Sequence, residues 1–223
     1  MQNQAKILFT IAFCVIAYIA GSQNLVLSAG GNYSTIQFKQ GSGSSSLDEN
    51  FTGPGGHLGA FLEGTLKKDR KQELVLSLGL LGDYKATTQT YSTSNLENKL
   101  NLIYVNLPVY MFYRYKLRSR SKLYAGAGPY ISYGVSGKAK VSAMGDVTGG
   151  EYKITWGSKE NEDYMKPLDY GVSAKAGYRT YSGFDIALSY DFGFPDVFML
   201  YESQSMKHRA LRLTIGYALP LAD

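Results

Sequence analysis

The chain predicts an all-β fold, an eight-stranded antiparallel up-and-down transmembrane β-barrel, and three observations carry that expectation. Eight segments alternate apolar with small or polar residues, the links between them alternate in length, and a secretory leader precedes them. In hydrocarbon every backbone N–H and C=O must be satisfied within the chain, and only helices and edge-free barrels achieve this.

The leader comes first. MQNQAK places Lys6 ahead of an apolar run, residues 7–20, which gives way to small residues at Ala20, Gly21 and Ser22. The run is shorter than the roughly 20 residues a spanning helix needs, so it reads as a signal peptide cleaved after Ser22 at an A-x-S site. The division expected is a signal peptide over residues 1–22 and one barrel domain over residues 23–223. The only cysteine, Cys14, lies inside the apolar run. The mature chain therefore has no thiol, no disulfide and no lipoprotein anchor point.

Each strand of a small membrane barrel needs about 9 to 11 residues in lipid, with alternate side chains facing lipid and lumen. Strand one is expected over residues 25–38, two over 56–66, three over 73–86 and four over 100–115. Strand five follows over 122–138, six over 168–181, seven over 184–192 and eight over 209–219. On strand three Leu74, Leu76, Leu78 and Leu80 share a face opposite Glu73, Ser77, Gly79 and Asp83. Strand six sets Tyr170, Val172, Ala174 and Ala176 against Gly171, Ser173, Lys175 and Gly177. Strand seven sets Phe184, Ile186, Leu188 and Tyr190 against Asp185, Ala187, Ser189 and Asp191. Strand eight sets Leu211, Leu213, Ile215 and Tyr217 against Arg212, Thr214, Gly216 and Ala218. Strand one is mixed on both faces.

Periodicity alone fits a soluble barrel with its apolar face turned inward equally well. The polar face decides. A water-facing wall would be rich in Lys, Glu and Gln, whereas this face is mostly Gly, Ser and Ala with a few opposed charges, which suits a crowded narrow interior. The chain also carries 19 Tyr and one Trp. Tyr84, Tyr113, Tyr115, Tyr133, Tyr170, Tyr178 and Tyr217 fall near predicted strand ends, where an interfacial girdle belongs.

Link lengths give the topology. Residues 67–72, 116–121 and 181–183 form short links, while 39–54, 87–99, 139–167 and 193–208 form long ones. Outer-membrane barrels have short periplasmic turns and long outer loops, so both termini are expected in the periplasm and the long polar links outside. The chain's net charge is +5, and basic residues gather in the short links, in KKDRK (67–71) and KLRSRSK (116–122). These are solvated turns or contacts to anionic headgroups. A secreted chain excludes nucleic acid as a partner.

Two stretches go beyond pattern. YVNLPVYMFYRYK (104–116) followed by KLYAGAGPYISYG (122–134) resembles the IPL…YKL and Y-x-G-x-GP strands of the small outer-membrane β-barrel domain family of Bacteroidota, which includes PorT-like proteins. RLTIGYAL (212–219) is similar to that family's last strand. The resemblance implies an eight-stranded outer-membrane barrel, no assigned activity for most members, and for some a place in protein secretion or assembly. The chain departs from many outer-membrane barrels in ending ALPLAD rather than in an aromatic residue. Within the hairpin, Pro108 is expected to face inward and Pro129 lipid, as diagonal neighbours, with a local bulge or bend because proline gives the ladder no donor.

The residues of chemistry are few. Outer-membrane enzymes resemble one another in joining His with Ser and an acidic or amide partner. Here His57 is expected at the outer rim of strand two, and His208 in a link near Ser203 and Ser205, so a rim acyl-transfer site is one alternative. GSKENED (157–163) lacks the spacing of a calcium loop. No cofactor or metal is expected, and the chain is read as not an enzyme.

The candidate site is a lumen charge network. Glu63, Glu73, Arg114, Arg179 and Asp185 fall near the short-link end. Lys175 and Arg212 lie higher, and Asp83 and Asp191 near the outer mouth. Buried charges cost several kcal/mol unless paired, so opposite signs at one level should meet. An eight-stranded interior has room only for side chains. A plugged core is therefore expected, with a narrow ion path as the alternative. The partners expected are outer-membrane lipid and envelope or secretion proteins.

Overall fold

A computed structural model describes residues 24–40, 47–91, 96–141, 149–157, 163, 165–196 and 204–221. Within them are nine strands: β1 (Asn24–Gln40), β2 (Leu47–Lys68), β3 (Gln72–Tyr91), β4 (Leu96–Lys116), β5 (Lys122–Val141), β6 (Gly150–Lys153), β7 (Leu168–Arg179), β8 (Phe184–Gly193) and β9 (Gln204–Pro220). All pair antiparallel, and the order β4-β3-β2-β1-β9-β8-β7-β5 closes on itself through β4–β5. Eight strands thus form the ring. The short β6 lies outside it, paired with the last residues of β5.

The ring closes through β1 and β9, paired without a register shift from Asn24 opposite Pro220 to Gln40 opposite Gln204. Asn24 and Pro220 therefore lie at the same end as the short turns after β2, β4 and β7. Those turns are built tightly. Gly183 adopts φ 97° between β7 and β8, a conformation that costs glycine nothing sterically.

The strands are longer than a bilayer requires. β2 has 22 residues, about 70 Å at roughly 3.3 Å per residue before tilt, against the roughly 9 to 11 that span lipid. The predicted long links 39–54 and 87–99 are accordingly strand over much of their length, because the hairpins β1–β2 and β3–β4 keep pairing toward their tips.

The apolar stripes point outward. Leu58 is 69% exposed, and Leu27, Leu80, Val172, Leu188, Leu213 and Ile215 are exposed with it, while Asp83, Arg114 and Arg212 are buried inside. Tyr33, Tyr84, Tyr133 and Tyr170 ring one end of this apolar band, and Tyr113, Tyr115 and Tyr217 the other. On β1 the mixed pattern resolves into Val26, Asn32, Ser34 and Ile36 inside and Leu27 and Tyr33 outside.

The prolines keep register. Pairing lapses between Leu78↔Val109 and Leu81↔Asn106, opposite Pro108, and resumes three residues on in both strands. It lapses again between Pro108↔Tyr130 and Met111↔Ala127, beside Pro129. The expected bulge is not at these positions. The register shift on β4–β5 lies higher, between Ile103 and Tyr104. Each proline costs local bonds without adding a residue, so both strands remain in step.

Candidate functional site

Alternation turns polar residues inward on every strand of the ring, among apolar ones, and the closed sheet brings them together in tiers. In the lowest tier Glu63 on β2 accepts from Arg179 Nη1 on β7 at 2.6 Å and from Arg114 Nη2 on β4 at 2.8 Å. In the ring order β2 and β7 stand diametrically opposite, so this contact crosses the axis. Asp185 accepts from Arg179 Nε at 2.8 Å and from the Tyr124 hydroxyl at 2.7 Å. Glu73 takes Lys116 at 2.8 Å and Lys122 at 3.1 Å, with Arg114 3.7 Å away.

Above this tier is a band of rings. Phe61, Tyr110, Phe112 and Tyr124 are buried together, with Tyr110 and Phe112 stacked at 5.2 Å between centroids. Lys175 ends here. Its ammonium lies 4.3 Å from the Phe61 ring centroid and 5.8 Å from that of Tyr110. It makes no ion pair among the described residues, so the pairing expected of it from charge alone is replaced by aromatic faces, which attract a cation through their quadrupole.

In the next tier Arg212 on β9 donates to Asp83 on β3 at 2.9 and 3.1 Å and also to Asp191 on β8. Asp83 further accepts from Asn106 at 3.3 Å, and Asp191 from Ser173 at 2.6 Å, whose oxygen lies 2.8 Å from the Tyr110 hydroxyl. Arg212 has a planar fork and two carboxylates to fill it, the geometry in which guanidinium pairs best.

The two histidines lie at and above the Asp83 level, His57 directly across from Asp83. His57 is in mid-strand on β2, buried, with Nε2 2.9 Å from Thr214 Oγ1. His208 lies within β9, buried, with Nδ1 3.5 Å from Lys85 Nζ and 3.6 Å from Asp169. Neither stands at a rim, because β2 and β9 continue past both. Ser203 and the Ser205 side chain lie outside the described residues.

An apolar cap closes over this tier. Ile154, Trp156 and Met165, from the long β5–β7 link, pack with Ile36, Leu100, Leu102 and Tyr104 inside the mouth. Ile154 donates its N–H to the Gly137 carbonyl at 2.9 Å, and Gly134 donates to Pro167 at 2.7 Å. Trp156 meets Tyr104 edge to face at 5.6 Å, and Tyr104 meets His208 at 5.5 Å. Gly134 makes the room: a Cβ there would fall 2.4 Å from the Trp156 ring. This link was expected as a polar outer loop, yet its described part turns inward. The signal available in the sequence was the lone tryptophan in KITWG, an apolar island in a polar link. Of GSKENED, only Gly157 and Asp163 are among the described residues.

A closed antiparallel ring with an apolar outer wall and charges paired within defines a transmembrane β-barrel. The family model described as outer membrane protein beta-barrel domain matches residues 21–199. The chain belongs to that family, and membership implies the outer membrane as its location. Among solved structures, it is similar to Ail of Yersinia pestis, crystallised with the heparin analogue sucrose octasulfate, at 15% identity, 88% coverage of this chain, 99% of that one and TM-score 0.34. Neisserial surface protein A shares 13% identity over 86% of this chain and 96% of its own, with TM-score 0.41. OprG of Pseudomonas aeruginosa shares 10% over 89% and 97%, with TM-score 0.45. No curated protein matches the chain.

Proposed function

We propose that this protein is a non-enzymatic, plugged outer-membrane barrel that presents its long links for surface interaction or supports the envelope structurally, with both termini in the periplasm after removal of residues 1–22. The observation that carries the reading is the axial contact of Glu63 with Arg179, topped by the Arg212 tier and the Ile154–Trp156–Met165 cap. Three successive seals across so narrow an interior leave side chains where a conduit would run.

Planar-bilayer recording tests it: the folded chain should give no discrete conductance, and steady single-channel steps would replace this reading with that of a small pore. The enzyme alternative has its own test. His57 and His208 are engaged inside the wall, so replacing both with Ala should leave the lipid profile of the envelope unchanged.

The hairpin likeness to PorT-like proteins of Bacteroidota supports a second reading, a component of protein secretion or assembly. Deletion would then stop export of a cargo protein, and the barrel would co-purify with other envelope proteins.

A further inference from the structure

At the short-turn end the barrel opens into a basin of about 1000 Å³. Arg70 and Lys71 enter it from the β2–β3 turn, and Lys116, Arg118, Arg120 and Lys122 from the β4–β5 turn and its flanks, with Arg179 at the floor. Among the described residues no carboxylate lines it. Arg179 is held by Glu63 and Asp185, and Lys116 and Lys122 by Glu73. Arg70, Lys71, Arg118 and Arg120 make no ion pair among the described residues, and the nearest turn acid, Asp69, is exposed.

The basin is a built feature. The Lys116 N–H donates to the Lys71 carbonyl at 2.8 Å, locking one turn to the next, and Leu117 and Ser121 close the second turn at 2.9 Å. Arg120 sits at φ 62°, the single non-glycine residue with positive φ among the described residues. Glycine takes that conformation without steric penalty, so an arginine there gives up stability to keep its side chain. That side chain lies 5.5 Å over the ring of Tyr181.

The rim is amphipathic. Tyr115, Tyr181 and Tyr217 line the basin and are exposed, and the wall beneath them continues as exposed Leu123, Phe184 and Leu219. Exposed tyrosines at the end of an apolar band mark headgroup depth. Arg118 and Arg120 line the basin together with these tyrosines, and Arg120 lies over the Tyr181 ring, so their charge stands at that rim.

We propose that this basin binds the phosphates of anionic phospholipid headgroups in the leaflet that the short turns face, with the acyl chains lying along the adjacent wall. Cations supply the affinity, and the tyrosines with the apolar wall favour a lipid over a free anion. The proposal needs the wall to span a bilayer and does not depend on what the long links contact.

The test is native mass spectrometry of the folded chain in zwitterionic detergent with equimolar cardiolipin and phosphatidylcholine. The chain should retain cardiolipin selectively. Arg70→Gln, Lys71→Gln, Arg118→Gln and Arg120→Gln combined should cut that preference more than about tenfold, since each surface cation contributes roughly fivefold before screening. Combined Lys138→Gln, Lys140→Gln and Lys153→Gln, at the opposite end, should leave it unchanged. An equal loss in both combinations means diffuse attraction and overturns the site. Arg120→Gly relieves the backbone, so it should keep or raise the unfolding midpoint while lowering cardiolipin retention; retention at the original level also overturns it. Inorganic pyrophosphate should not displace the lipid at equal concentration. If it does, the basin is a site for soluble anions and the lipid assignment fails.

Discussion

Glu63 and Arg179 stand on strands four places apart in a ring of eight, and their side chains meet at 2.6 Å. A carboxylate and a guanidinium have reached across the full interior. Arg114 joins the same carboxylate from a third strand at 2.8 Å. The pair therefore ties opposite walls together as well as neutralising charge.

Glu63→Gln should lower stability by about 3 to 5 kcal/mol, because it leaves two buried guanidinium groups sharing the remaining carboxylates. Urea unfolding of the folded barrel, followed by heat-modifiable gel mobility, measures it. A loss below about 1 kcal/mol would show that the contact is dispensable.

Arg212 separates Asp83 from Asp191. Arg212→Met should be strongly destabilising, since it removes the guanidinium that joins two buried carboxylates. Adding Asp83→Asn should recover part of the loss. A double-mutant cycle should therefore show coupling of about 0.5 to 3 kcal/mol, whereas additive losses would place the two residues in separate networks.

Gly134→Val should displace Trp156 from its seat, since the added Cβ would fall 2.4 Å from the ring. Trp156 is the only tryptophan, so its fluorescence reports the cap directly. Emission should shift to the red, with the barrel still resisting detergent until boiled. Met165→Ala, removing a fully buried side chain, should cost about 2 to 5 kcal/mol if the cap belongs to the cooperative unit.

Pro108→Ala returns a donor opposite Gly79, where the β3–β4 ladder lapses. Because the register already runs unbroken past that point, stability should change by only about 1 kcal/mol. Cross-links between cysteines placed at Leu78 and Val109 should form in both forms. Their loss in Pro108→Ala would show that the proline sets the register.

Alternation made the faces of strands three, six, seven and eight legible, because a period of two assigns every residue to one side. Partners were harder to read. Lys175 lies above Arg179 as its position in the strand implies, but the inward residues at its level are the rings of Phe61 and Tyr110, so its partners are aromatic faces and not a carboxylate. The histidines were misplaced for another reason. Past the bilayer the outer face turns polar, so the pattern fades while the pairing continues, and His57 and His208 look like rim or link residues although they lie within β2 and β9. The cap was hidden differently. Ile154 and Met165 are local to no strand of the ring, and only the fold brings them against Leu102 and Tyr104.

The pairing of β1 with β9 joins the first 17 described residues to the last strand. Until β9 is made, β1 and β8 both present bare edges to the acyl chains, and each unsatisfied backbone group there costs several kcal/mol. No partial barrel is a resting state under that penalty. A chain truncated before residue 204 lacks the strand that closes the ring, and leaves β1 and β8 with no partner on that side.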